Sequence, residues 1–145
     1  MNPRIMIVDD EESFTNSLAE RLELREFDVT VSFSGNDALE KIKKLNFDVI
    51  ILDVAMPGID GIEALREIKK IKPLTEVIML TGHATVETAI EGMKLGATDY
   101  LMKPCEAEDL MEKINNAYNR KSEHEERIRD AHVKEIVSSP MSVLK

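Results

Sequence analysis

The chain has one cysteine, Cys105, among its 145 residues. That excludes an internal disulfide and any cysteine-based metal site. Its three histidines, His83, His124 and His132, show no metal-ligand spacing. No apolar run approaches the ~20 residues of a membrane-spanning helix. Nor does a charged-then-apolar leader open the chain, because Asp9, Asp10, Glu11 and Glu12 follow the first short apolar run at once. A cytoplasmic protein without membrane contact is expected. Internal repeats and low-complexity stretches are also missing. Basic residues are few: 19 Lys and Arg stand against 28 Asp and Glu, for a net charge of −9. Residues 119–145 hold six Lys/Arg and five Asp/Glu, so residues 1–118 carry −10. Nucleic-acid affinity rests on cations that neutralise phosphates, so no direct contact with nucleic acid is expected. The tail has neither a basic stripe nor a helix-turn-helix pattern.

What is present fits one soluble domain with a substantial core, 43% hydrophobic and 32% charged. Short apolar runs at Ile5–Val8, Val49–Leu52, Val77–Leu80 and Tyr100–Met102 read as strands covered on both faces. Asp28–Phe33 alternates Val29, Val31 and Phe33 with polar residues and reads as an edge strand. Helical period separates them. Phe14, Leu18 and Leu22 share a face, as do Ala38, Leu39, Ile42 and Leu45, then Ile62, Leu65 and Ile68. Val86, Ala89, Ile90 and Met93 form the fourth such face, and Leu110, Met111, Ile114 and Ala117 the fifth. Ser34 is placed to cap the second helix; Pro73 and Gly96 close the third and fourth. Five strand–helix alternations predict a doubly wound α/β fold, since parallel neighbours need crossovers.

Four of the five strands end in a residue suited to phosphoryl chemistry: Asp9-Asp10, Asp53, Thr81 and Lys103. In a doubly wound sheet of order 2-1-3-4-5, ligands bind at the carboxyl edge where the winding reverses, between strands 1 and 3. Asp9-Asp10 would then face Asp53. Three gathered carboxylates repel one another unless a cation is present, and Mg²⁺ or Mn²⁺ suits an all-oxygen set. Asp53 becomes a candidate nucleophile towards phosphorus, with Lys103 and the Thr81 hydroxyl placed for phosphoryl oxygens. Taken singly, the acidic run could cap the first helix, Thr81 could be another cap, and Lys103 a surface lysine. Their joint order on one sheet edge favours the phosphoryl reading.

Over about residues 3–119 the chain resembles a bacterial two-component response-regulator receiver domain. The resemblance is carried by Ile7-Val8-Asp9-Asp10-Glu11, by Asp48 to Gly61 (DVIILDVAMPGIDG), by Met79-Leu80-Thr81-Gly82-His83 and by Asp99-Tyr100-Leu101-Met102-Lys103-Pro104. It implies a flavodoxin-like sheet with helices on both faces. It also implies a phosphoacceptor aspartate at Asp53, served by a sensor histidine kinase or a phosphotransfer protein. Asp10, Asp53 and the Ala55 backbone carbonyl would ligate Mg²⁺ directly, and Asp9 mainly through a water. Thr81 and Tyr100 resemble the switch pair and Lys103 the phosphate-binding lysine, with a cis Lys103–Pro104 bond. Ala55 and His83 stand where family members tune the lifetime of the phosphoryl group. Cys105 replaces a frequent aromatic and is expected to be a buried, inert thiol.

On this reading, phosphorylation draws in Thr81, turns Tyr100 inward and changes the face of the fourth helix, fifth strand and fifth helix. The chain is then a switch and not a turnover enzyme, acting on a downstream protein or a fused output domain, with a phosphorylation-dependent homodimer as an option. The receiver is expected over 1–118. Residues 119–145 are expected to be a charged helical extension, a linker or a tail, with Ser138-Ser139-Pro140 stopping the helix. Its apolar residues are too sparse for a coiled coil. One alternative is the N-terminal receiver of a larger transcription regulator. Another is a Mg²⁺-dependent aspartyl-phosphate phosphohydrolase, which would place a second acid where Ala55 stands. A nucleotide- or flavin-binding module lacks its Gly-rich phosphate loop after the first strand.

Overall fold

The computed structural model describes residues 2–56, 58–82 and 85–138, with Val137 and Ser138 by backbone alone. Pro57, His83 and the expected stop at Ser139-Pro140 lie outside the described residues. Strands β1 (Arg4–Val8), β2 (Asp28–Ser32), β3 (Val49–Leu52), β4 (Glu76–Thr81) and β5 (Asp99–Met102) form one parallel sheet in the order β2-β1-β3-β4-β5. Helices α1 (Glu12–Glu23), α2 (Gly35–Lys44), α3 (Gly61–Ile71), α4 (Val86–Lys94) and α5 (Ala107–Ser138) make the crossovers and the C-terminal arm. This is the doubly wound architecture expected from the alternation, in the flavodoxin-like order that the resemblance implies. No helix among the described residues is long and apolar enough to cross a membrane.

Alternate strand residues serve two cores, as a pleat requires. Met6, Val8, Ile50, Leu52, Val77 and Met79 meet Ala38 and Ile42 of α2 and Ile62, Leu65 and Ile68 of α3. Ile5, Ile7, Val49, Ile51, Ile78 and Leu80 meet Leu18 and Leu22 of α1 and Leu110, Ile114 and Ala117 of α5. Ser34 caps α2 by accepting from the Asp37 amide at 3.1 Å. Gly96 takes φ +102° after α4, a left-handed turn that favours glycine.

One feature departs from the periodic reading, and α5 makes contacts that the reading does not include. In α4 the apolar residues Val86, Ile90 and Met93 face solvent, and the buried residue is Gly92. A Cβ on Gly92 would sit 3.8 Å from Ile62, Met79 and Tyr100, so the helix lies close to the sheet through its least bulky residue. In α5 the helix continues far past the core contacts of Ala117. Its extension is tied to the edge of the sheet opposite the strand tips. Lys121 pairs with Asp48 at 3.2 Å, Arg120 with the buried Glu76 at 3.8 Å, and Lys121 also with Glu125 at 3.0 Å.

Candidate functional site

Register brings the acids together. Val8 lies beside Leu52 in the sheet, so Asp9 and Asp53 leave adjacent strands side by side. The Asp53 amide donates to the Val8 carbonyl and the Asp9 amide to that of Ser32, each at 3.0 Å, which carries the ladder one step past the strands. Asp9 and Asp53 are each 2% exposed, whereas Asp10 is exposed. One carboxylate oxygen from each of Asp9, Asp10 and Asp53 lies within 4.8 Å of the other two.

Local hydrogen bonds hold this geometry. An Asp9 carboxylate oxygen accepts from the Glu11 amide at 3.0 Å, and an Asp53 oxygen from the Ala55 amide at 3.4 Å. The buried Thr15 hydroxyl lies 3.2 Å from the Asp9 carbonyl and 2.9 Å from that of Glu11, fastening the first turn of α1 to the site. The acidic run therefore does not supply a side-chain cap for α1: Glu11, at the N-cap, makes none. Gly61, at the start of α3, donates to the Val54 carbonyl at 2.8 Å.

Lys103 follows β5 on the far side of the cluster, before a cis bond to Pro104. Its backbone amide donates to the Thr81 carbonyl at 2.9 Å, which seats it beside the end of β4. Its ammonium lies 2.6 Å from Asp9 and 3.3 Å from Glu11, and its side chain is only 13% exposed. The same nitrogen stands 4.0 Å from the centroid of the Phe14 ring. Thr81 is fully buried at the tip of β4. Tyr100 is half-buried and its hydroxyl lies 2.9 Å from that of Thr88 on α4. Cys105 is half-buried, and burial, then Asp109 and Glu106, push its thiol above the ordinary range.

Electrostatically the site is short of positive charge. Burial, and secondarily the field of Asp53, raise the Asp9 carboxyl above the usual carboxylate range despite its bond to Lys103. Burial alone would lower the Lys103 ammonium; the hydrogen bond to Asp9 and the fields of Asp9 and Asp53 outweigh it and hold the lysine above its ordinary value. Asp9, Asp53 and Glu11 thus share one ammonium, with Asp10 beside the two buried acids. An all-oxygen set with surplus negative charge and one exposed member fits a hard divalent cation.

Asp9, Asp10, Asp53, Ala55, Thr81 and Lys103 therefore converge on one edge, and Tyr100 lies two residues before Met102, the partner of Thr81. Periodicity gave no sign of Thr15, Phe14 or Gly61 as parts of the site. Their roles depend on contacts across the fold, although Gly61 closes a motif already noted.

The family model for the response regulator receiver domain matches residues 5–115. The transcriptional regulatory protein ZraR of Salmonella typhimurium is 38% identical over 113 residues, 78% of this chain and 26% of that protein. The chain spans about a quarter of the length of ZraR and about half that of other curated relatives. A receiver domain structure from Clostridium thermocellum is 41% identical with a TM-score of 0.79, covering 83% of this chain and 97% of that one. The beryllofluoride-activated NtrC4 receiver domain dimer is 40% identical with a TM-score of 0.77, covering 81% of this chain and 98% of that one. With the fold, the strand-tip cluster and the family match in agreement, the chain belongs to the two-component response regulator receiver family.

Proposed function

We propose that the chain is a phosphoacceptor switch that takes a phosphoryl group onto Asp53 from a sensor histidine kinase or phosphotransfer protein. The observation that carries the reading is a buried Asp53 beside two further carboxylates, with the Lys103 ammonium paired to one of them. A carboxylate oxygen of Asp53 forms the new bond to phosphorus as the bond from phosphorus to the donor nitrogen breaks. The freed donor imidazole keeps the electron pair. Lys103 leaves Asp9 for a phosphoryl oxygen, and the Thr81 hydroxyl donates to another. Asp9, Asp10, Asp53 and the Ala55 carbonyl would hold Mg²⁺ or Mn²⁺, with Asp9 acting mainly through a water. The bound cation offsets the repulsion among these acids and part of the phosphoryl charge.

The signal follows from charge. A phosphoryl group adds ~2 negative charges and three acceptor oxygens, favouring the packing in which Thr81 moves in and Tyr100 leaves Thr88 for the space vacated. The face so altered carries Ile90, Met93 and Met102, all well exposed. A downstream protein, a fused output domain or a second copy would read it. The dimer described for the NtrC4 receiver supports the last option. We assign the receiver to residues 1–118 and treat 119–145 as a charged helical extension leading away from it. A receiver joined to an output domain is compatible with the transcription-regulator relatives.

Incubation with Mg²⁺ and a small acyl phosphate, followed by intact-mass spectrometry, should give one phosphoryl adduct. Asp53→Asn should give none. An unmodified parent, or an equal adduct on the variant, overturns the assignment.

A further inference from the structure

Resting on the phosphoacceptor reading, we infer that Phe14 is a positioning residue for phosphoryl transfer, holding the Lys103 ammonium over the site through the face of its ring. Lys103 has three N–H donors. Asp9 and Glu11 take up two directions, at 2.6 and 3.3 Å. The Phe14 ring covers another, with its centroid 4.0 Å from the nitrogen, inside the range at which a ring quadrupole attracts a cation. An ammonium is a strongly hydrated charge, so a side chain only 13% exposed must have replaced most of that water with something. Two carboxylates replace part of it, and the ring the rest.

The ring differs from the carboxylates in one respect that matters for the reaction. Asp9 and Glu11 compete with a phosphoryl oxygen for the lysine, because each is itself an anionic acceptor. The ring attracts the charge yet offers no oxygen, so it keeps the ammonium near the site without opposing its turn towards phosphate. Its own place is set from the backbone. Phe14 precedes Thr15, whose hydroxyl binds the Asp9 and Glu11 carbonyls, so the ring and the two acids share one anchored turn, which Lys103 reaches from the end of β5. Phe14 is half-buried and packs only at the margin of the core formed by α1 and α5. Filling that margin needs no aromatic ring; leucine would do it.

The test compares the parent with Phe14→Leu and Phe14→Tyr, using the whole chain. Without metal or phosphoryl donor, proton NMR should place the Lys103 ε-methylene signals upfield in the parent and in Phe14→Tyr, and at ordinary positions in Phe14→Leu. With Mg²⁺ and acetyl phosphate, Phe14→Leu should form the adduct about three- to tenfold more slowly, the scale of a cation–π contact that is partly desolvated. Phe14→Tyr should restore the rate. Calorimetric affinity for Mg²⁺ alone should not fall in Phe14→Leu, since a loosened ammonium competes less for Asp9. A Phe14→Leu variant with the parent's rate, or with unshifted lysine signals relative to the parent, overturns the inference alone. So does a joint loss of rate and Mg²⁺ affinity, which would mean simple collapse of the turn. A parent that takes no phosphoryl group overturns the functional reading, and this inference with it.

Discussion

Gly61 stands so close to Asp53 that a Cβ built on it would lie 2.0 Å from the Asp53 carbonyl oxygen and 2.6 Å from the Val54 Cα. Both obstacles are backbone, which cannot rotate aside as a side chain would. The start of α3 is thereby pressed against the turn that presents the Asp53 carboxylate.

Gly61→Ala should therefore do more than a surface substitution. Overpacking of this kind typically costs about 1–3 kcal/mol, and here the strain falls on the turn after β3. Urea denaturation should show the loss, and the rate of adduct formation at Asp53 should drop with it. Unchanged values of both would mean that the turn yields freely.

The pH dependence of the metal-free protein follows from Asp9. Its carboxyl is raised in the folded state, mainly by burial. The contribution is thus fully present below the unfolded value of 3.8 and is lost as pH rises through the folded value. Asp9→Asn never acquires the charge. Without Mg²⁺, the melting-temperature advantage of Asp9→Asn over the parent should grow as pH climbs above 3.8 and then level off. Saturating Mg²⁺ should shrink that advantage at neutral pH, because the cation stabilises only a folded state that binds it. An advantage independent of pH would refute the assigned direction.

The arm of α5 supplies a third prediction. Lys121 is 13% exposed and joins Asp48 of the β3 approach to Glu125 of its own helix. Removing it as Lys121→Met should lower hydrogen-exchange protection over residues 119–130, by about 1 kcal/mol for a partly buried pair at the upper end of surface ion pairs. Charge reversal at Lys121 combined with Asp48→Lys should recover part of it. Protection equal to that of the parent would show that the arm is held by something else.

The fold was legible wherever physics is local. Buried parallel strands require unbroken apolar runs, so β1, β3 and β4 stand out; an N-cap such as Ser34 acts on its own helix. The site was legible for a related reason: the sheet order converts strand ends, far apart in sequence, into one edge. Legibility failed where a neighbour lies on another element. Val86, Ile90 and Met93 have helical period, yet the close fit of Gly92 beside Tyr100 decides which face turns inward. Lys103 and Glu11 are separated by 92 positions, and no periodicity marks their meeting or the ring of Phe14 above them. The ties from Lys121 and Arg120 to Asp48 and Glu76 are equally silent in a charged stretch that reads as solvated helix.

The 32 residues of α5 form a rod about 48 Å long at ~1.5 Å per residue. Its first residues, Ala107–Tyr118, are gripped by the second core, and roughly 30 Å of it runs on beyond Tyr118. A rod gripped at one end is a lever. A tilt of about 10° where α5 meets β5 would carry the far tip some ~5 Å sideways over that length. Small repacking near Tyr100 would thus be magnified into a displacement as large as the width of a side chain, delivered well away from where the charge was added.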